Sequence, residues 1–178
     1  MEQDIMEWVT DLVSLTGRQA ERQEMEWSGT EREFGTPLPA DFKEICEVFG
    51  RGSFCGYLEL LLPVDATDPY SLVGRWNALK RRWDRPQVRS LFEPYAVFEA
   101  SGLILWGESV TEASYYWLAD ASKDSEEWPV VARTDPLEEW HRFDMATSEF
   151  ICRVLTDGEF RPFSIARNVA RPFFESHP

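Results

Sequence analysis

The chain is poor in the residues that most enzyme and metal sites need. It holds two histidines, His141 and His177, and three cysteines, Cys46, Cys55 and Cys152, among 178 residues. The cysteines are odd in number, widely spaced and without a C-x-x-C pair, which excludes the usual zinc and redox patterns and a disulfide framework. There is no H-E-x-x-H, no calcium loop and no G-x-S-x-G, so neither a metal centre nor a serine nucleophile is written in the chain. His141 falls in an aromatic run that reads as a strand, and His177 stands next to the terminus; a Cys55–His141 pair has no feature to recommend it. Neither an enzyme nor a cofactor is expected.

Long apolar runs are also missing. No stretch approaches the ~18 residues of a membrane span; Leu103 to Trp106 is typical of the longest candidates. The start, Met1-Glu2-Gln3-Asp4, is acidic where a secretory signal is basic, and a reduced, cytoplasmic setting is expected. Positive charge is scarce: 18 Lys and Arg face 32 Asp and Glu, a net charge of −14. Such a surface repels phosphate backbones, so no direct nucleic-acid binding is expected, and it favours basic partners.

What is present is a large aromatic and aliphatic content. The chain is 43% hydrophobic and 14% aromatic, with eight Trp and twelve Phe, enough to fold around a core without staples. Ile5, Trp8, Val9, Leu12 and Val13 recur at helical spacing, and Gly17 stands where a helix ends. Arg18 to Arg32 reads as a polar connector. A second helix follows Pro39, with Phe42, Ile45, Cys46 and Phe49 on one face, Asp41 and Glu44 near its start and Gly50 at its end. Cys46 reads as a small core residue.

Gly50 to Gly56 reads as a tight helix-to-strand turn rather than a phosphate cradle, because phosphate loops leave a strand and open a helix. A strand is expected over Tyr57 to Leu62, closed by Pro63, and a third helix from about Ser71 to Asp84, stopped by Pro86. Short runs at Tyr95–Phe98, Leu103–Trp106, Tyr115–Leu118, Pro129–Ala132 and Trp140–Phe143 then read as a strand meander. The second and third of these are apolar on both faces, which predicts central strands. A last helix begins near Thr147, carries Phe150, Ile151, Val154 and Leu155, and ends at Gly158. The aromatic tail from Phe160 is expected to fold back. The pattern predicts one α+β domain over 1–178, with N-terminal helices, a mostly antiparallel sheet and a closing helix.

Charge is distributed unevenly. Residues 1–70 carry −10, residues 93–178 carry −9, and residues 71–92 carry +5. The basic island (Arg75, Lys80, Arg81, Arg82, Arg85, Arg89) reads as a solvated helix face, its tryptophans Trp76 and Trp83 turned inward and its charges met by carboxylates of the same domain. Candidate partner-binding residues come from the acidic clusters: Glu31, Glu33, Asp41, Glu44 and Glu47 around the second helix, and Asp120, Asp124, Glu126 and Glu127 in one loop.

The segment Gly35-Thr36-Pro37-Leu38-Pro39-Ala40-Asp41-Phe42-Lys43-Glu44, then Phe49-Gly50-Arg51-Gly52, then a strand ending Leu61-Leu62-Pro63, resembles the Smi/Knr-type domain of the SUKH superfamily. The resemblance covers roughly residues 27–157, leaving 1–26 as an N-terminal helix and connector and 158–178 as an aromatic extension. It implies a compact α+β domain whose bacterial members are chiefly immunity proteins. These neutralise toxin domains, often nucleases, of polymorphic or contact-dependent systems. It implies, alternatively, a regulatory or scaffold domain of a signalling or cell-envelope complex, the role of its eukaryotic relatives. The family brings no catalytic residues. A cognate toxin domain or another basic protein is the expected partner.

Overall fold

The computed structural model describes residues 4–19 and 21–178; the acidic start at 1–3 lies outside them. Helix α1 (Ile5–Thr16) is capped by the Asp4 carboxylate, which accepts the Met6 N–H at 2.9 Å, and it ends at Gly17 with φ 63°. Helix α2 (Ser28–Phe34) begins within the Arg18–Arg32 stretch that reads as a connector and runs two residues past it. Its start is held by the Glu26 carboxylate, which accepts from the N–H groups of Ser28 at 2.8 Å and Gly29 at 3.1 Å. Helix α3 (Ala40–Phe49) buries Phe42, Ile45, Cys46 and Phe49 on one face, and Gly50 ends it at φ 71°.

Among the described residues the strands build one seven-stranded sheet in the order β6-β5-β4-β3-β2-β1-β7, every pair antiparallel. The glycine-rich turn contains a strand of its own, β1 (Gly52–Phe54), and the strand expected over Tyr57–Leu62 is the shorter β2 (Leu58–Leu60). Pro86 does not simply stop the third helix. Helix α4 (Leu72–Lys80) gives way to turns, and Pro86 opens α5 (Pro86–Ser90), its missing N–H costing nothing in a first turn. Tyr95–Phe98 forms no strand; it is a turn segment whose Ala96 carbonyl accepts the Leu103 N–H at 2.9 Å. Strands β3 (Ser101–Ser109), β4 (Ser114–Asp120), β5 (Val130–Arg133) and β6 (His141–Phe143) follow, with a 3-10 turn at Ser125–Glu127 between β4 and β5. Helix α6 (Thr147–Thr156) and β7 (Phe174–Ser176) complete the fold.

The twofold period of the central strands makes two cores. Ile104, Trp106, Tyr115, Trp117, Val130 and Ala132 face the helices α1, α3 and α6. Leu103, Tyr116 and Val131 face the other way, beneath α4, α5 and residues 91–98. Trp117 secures the first core by donating its indole N–H to Thr147 Oγ1 at 2.8 Å. The C-terminal tail joins the same core: Phe163 is 1% exposed, and Phe174 packs 5.0 Å from both Phe49 and Phe54. His177 is therefore held rather than frayed, its N–H donating to the Arg51 carbonyl at 3.0 Å.

Candidate functional site

The nine candidate carboxylates fall into groups with different surroundings. Asp41 is not on the surface: it is 1% exposed, and it accepts from the N–H groups of Phe42 and Ser148, both at 2.8 Å. A partner's cation cannot reach it, so it leaves the candidate set. Glu44 and Glu47 are bridged by Arg22 at 2.7 and 2.5 Å, and Glu47 also accepts the Trp27 indole N–H at 3.0 Å. Glu31 takes Lys43 Nζ at 2.7 Å and the Leu38 N–H at 2.8 Å. These three carboxylates already have cations from their own domain. Glu33 is exposed on α2.

The second cluster stands on one turn. Asp120, at the end of β4, accepts from Ser122 Oγ at 2.7 Å and Ser122 N–H at 2.9 Å, which hold its carboxyl below the usual range. Asp124 and Glu127 form a capping box around the 3-10 turn, and Glu126 accepts the Ala40 N–H at 3.2 Å, tying the turn to α3. Asp124, Glu126 and Glu127 stay exposed while making these bonds.

That turn forms one bank of a groove of about 540 Å³ between α1 and α6. Glu126, Glu127, Asp144 and Glu149 line it over an apolar floor of Trp8, Trp128 and Met145. Arg153 is the one cation in the lining, and it is engaged by Glu149 at 2.8 Å and Asp157 at 3.6 Å. Asp144 has an exposed pair with Arg142 at 3.1 Å, a contact of little strength in water. Asp144 and Glu149 are absent from the sequence-derived set because they are some twenty residues from Glu126 along the chain. Only the packing of α6 against α1 places them opposite the turn.

The basic island departs from its expected setting. Trp76 and Trp83 do turn inward onto the second core. Among the described residues, however, Arg75 alone of these cations meets a carboxylate, Glu108 at 2.7 Å. Arg89 donates to the Trp83 carbonyl at 2.7 Å, Lys80 lies 5.5 Å from the Trp76 ring, and Arg81, Arg82 and Arg85 are exposed without an ion pair among the described residues.

Beneath α4 the sheet register aligns a polar row across four strands: Glu59 beside Glu108, Glu108 beside Ser114, and Ser114 beside Arg133. Arg133 is 4% exposed, donates through one terminal nitrogen to the carbonyls of Leu91 and Pro136, and lies 4.0 Å over the Trp140 ring. Burial lowers its pKa and raises that of Glu108. Sequence reading passed over Arg133 because a lone arginine at a strand end carries no motif.

Cys55 and His141 are not brought together. Cys55 follows β1 and His141 lies on β6, so five strand spacings separate them, about 20 Å or more. His141 instead packs edge-on to Phe163 at 5.4 Å. Among the described residues no three His, Cys, Asp or Glu are placed to hold a metal ion, and no helix is long and apolar enough to cross a membrane. Compared with family models, curated proteins and solved structures, the chain matches none of them.

Proposed function

We propose that this chain is a non-catalytic, cytoplasmic protein-binding domain that receives a basic protein in the groove between α1, the Ser125–Glu127 turn and α6. The observation that carries the reading is the groove itself: four carboxylates over an apolar, aromatic floor, with one internally engaged arginine. Interfaces draw their affinity from such buried aromatic anchors, while rim charges steer the encounter and select the partner. The resemblance to the SUKH superfamily supplies the partner class, a cognate toxin domain of a polymorphic or contact-dependent system. A nuclease would fit well, since its phosphate-binding cleft is basic and the groove carboxylates would stand where phosphates lie.

The test is protection from, and binding to, candidate basic toxin domains of polymorphic or contact-dependent systems. Wild-type protein is expected to restore growth and to bind more tightly at low salt. An Asp144→Lys/Glu127→Lys double variant, its fold checked by circular dichroism, is expected to lose at least about tenfold in affinity, as like charges then face each other across the interface. Unchanged affinity would refute the groove assignment. A regulatory or scaffold role is the second reading, favoured by the unpaired Arg81, Arg82 and Arg85. It predicts an acidic partner whose binding survives the groove reversal and is lost on neutralising those arginines.

A further inference from the structure

The space beneath α4 is a cavity of about 250 Å³ between that helix, residues 91–97 and the second face of the sheet. Leu79, Leu91, Phe92, Val97, Leu103 and Leu105 are among the apolar residues of its wall, and Ser114, Tyr116 and Arg133 add polar groups. A guanidinium carries five N–H donors. Arg133 directs one nitrogen to the carbonyls of Leu91 and Pro136, and its buried Nε–H has no acceptor. Among the described residues no carboxylate is in salt-bridge contact with it; Asp135 attracts it from farther off and the Tyr116 side chain is its polar neighbour. The rings of Trp140 and Phe92, 4.0 and 5.2 Å away, stabilise the cation through their faces but offer no hydrogen-bond acceptor. The indole N–H of Trp76, another residue of the wall, is likewise buried without a partner.

A buried guanidinium with no carboxylate in contact and its Nε–H unmet, and a second unmet donor, both on the wall of one largely apolar cavity, leave a place for an acceptor that the protein itself does not supply. Glu108 is not that acceptor. It is held by Arg75 and stands two strand spacings from Arg133 in the cross-strand row, about 10 Å. Its charge also disfavours a second anion at its own end of the cavity, which directs a negative group toward Arg133. Arg75 and Arg82 line the cavity as well, and Arg81 and Arg85 are exposed nearby on the same segment, so the basic island gives an otherwise acidic molecule a positive approach to this space.

We propose that the cavity binds a small monocarboxylate with an apolar body, of the size of octanoate or 3-phenylpropionate, its carboxylate taking the free Nε–H of Arg133 and its body lying against the leucines of the wall. The size follows from volume: an apolar cavity of about 150 Å³ takes benzene, and this one has room for a ring with a short chain. A carboxylate is matched to the edge of a guanidinium, where it accepts parallel hydrogen bonds. A dianionic phosphate is not, because so few donors converge here and Glu108 stands in the same space. This site is independent of the groove and of the partner proposed for it.

The experiment is calorimetric titration of the full chain with sodium octanoate and, separately, with 1-octanol. Octanoate is expected to bind at a single saturable site, with octanol at least about tenfold weaker, the scale of one unmet charged donor. Arg133→Met, which keeps the stem and removes the guanidinium, is expected to bring octanoate down to the level of octanol. Ala78→Phe fills the cavity from α4 without touching Arg133, and it is expected to abolish both while the protein stays folded; this variant decides the matter should Arg133→Met not fold. Equal binding of octanoate and octanol to wild type would reduce the cavity to an apolar void and overturn the proposal. So would octanoate binding that survives Ala78→Phe, or the absence of saturable octanoate binding at millimolar concentration.

Discussion

The Asp41 carboxylate, in the first turn of α3, accepts the backbone N–H of Ser148, in the first turn of α6, at 2.8 Å across 107 residues of sequence. Its other oxygen accepts the Phe42 N–H at 2.8 Å. One buried side chain thus satisfies orphan donors at the starts of two helices and fixes their mutual position.

This contact should be visible in the pH dependence of stability. Burial, with a smaller contribution from Glu126, raises the Asp41 pKa above its ordinary value. The native state therefore holds this proton more tightly than the unfolded chain. The contribution is full below the unfolded pKa and is lost as pH rises through the folded one. Asp41→Asn keeps an acceptor for Ser148 and removes the titration. Denaturation curves should show the variant gaining on wild type from pH 4 to pH 7, whereas Asp41→Ala, which orphans two N–H groups, should cost about 2–4 kcal/mol near pH 4 and show the same gain toward pH 7.

Gly52 has φ 156° and no room for a side chain: a Cβ there would collide with the Glu175 carbonyl oxygen and meet the Phe174 ring at 2.7 Å. Gly52→Ala should push β7 off the edge of the sheet at a cost of about 1–3 kcal/mol. Hydrogen exchange would report it as lost protection of the Cys55 amide, which donates to Phe173, and of the β7 amides paired with β1.

The tail can be tested by contrast. Phe163 is 1% exposed and packs on Phe143 and Phe150, while Phe173 is 46% exposed. Phe163→Ala should cost about 3–5 kcal/mol and Phe173→Ala no more than about 0.5 kcal/mol. A chain ending at residue 157 would lose Phe163 and Phe174 together and should fail to fold cooperatively.

Thiol chemistry gives a further check. Burial pushes the Cys46 thiol well up and the Cys152 thiol to about 12, and raises that of half-buried Cys55 less far. A disulfide reagent at pH 8 should modify Cys55 slowly and leave the other two until the protein is unfolded. Rapid reaction of all three in the native state would contradict the packing of α3 and α6.

The periodicities of the chain determined α1, α3 and α6, whose apolar positions recur every three to four residues with Gly17 and Gly50 to end the first two. They also determined the central place of β3 and β4, since strands apolar on both faces must be covered on both. The uneven charge, with its basic island, was likewise legible by counting. These are local properties, written within a few turns or strand repeats.

Other features depend on pairings between distant segments, and the tertiary structure alone decided them. Helix α2 has few apolar residues to mark it, and it is held by the Glu26 cap and by Phe34 packing 5.0 Å from Trp76. Strands β1 and β7 are each three residues long and become strands through pairing across 120 or more positions, as Phe54 meets Phe174 only when the tail returns. Asp41 has the sequence context of an exposed first-turn acid, and α6 folding over it makes it buried. The groove and the Arg133 cavity belong to the same class. Their residues come from three or more elements, and backbone pairing and side-chain packing, rather than any spacing along the chain, set which charges face one another and which are left unmet.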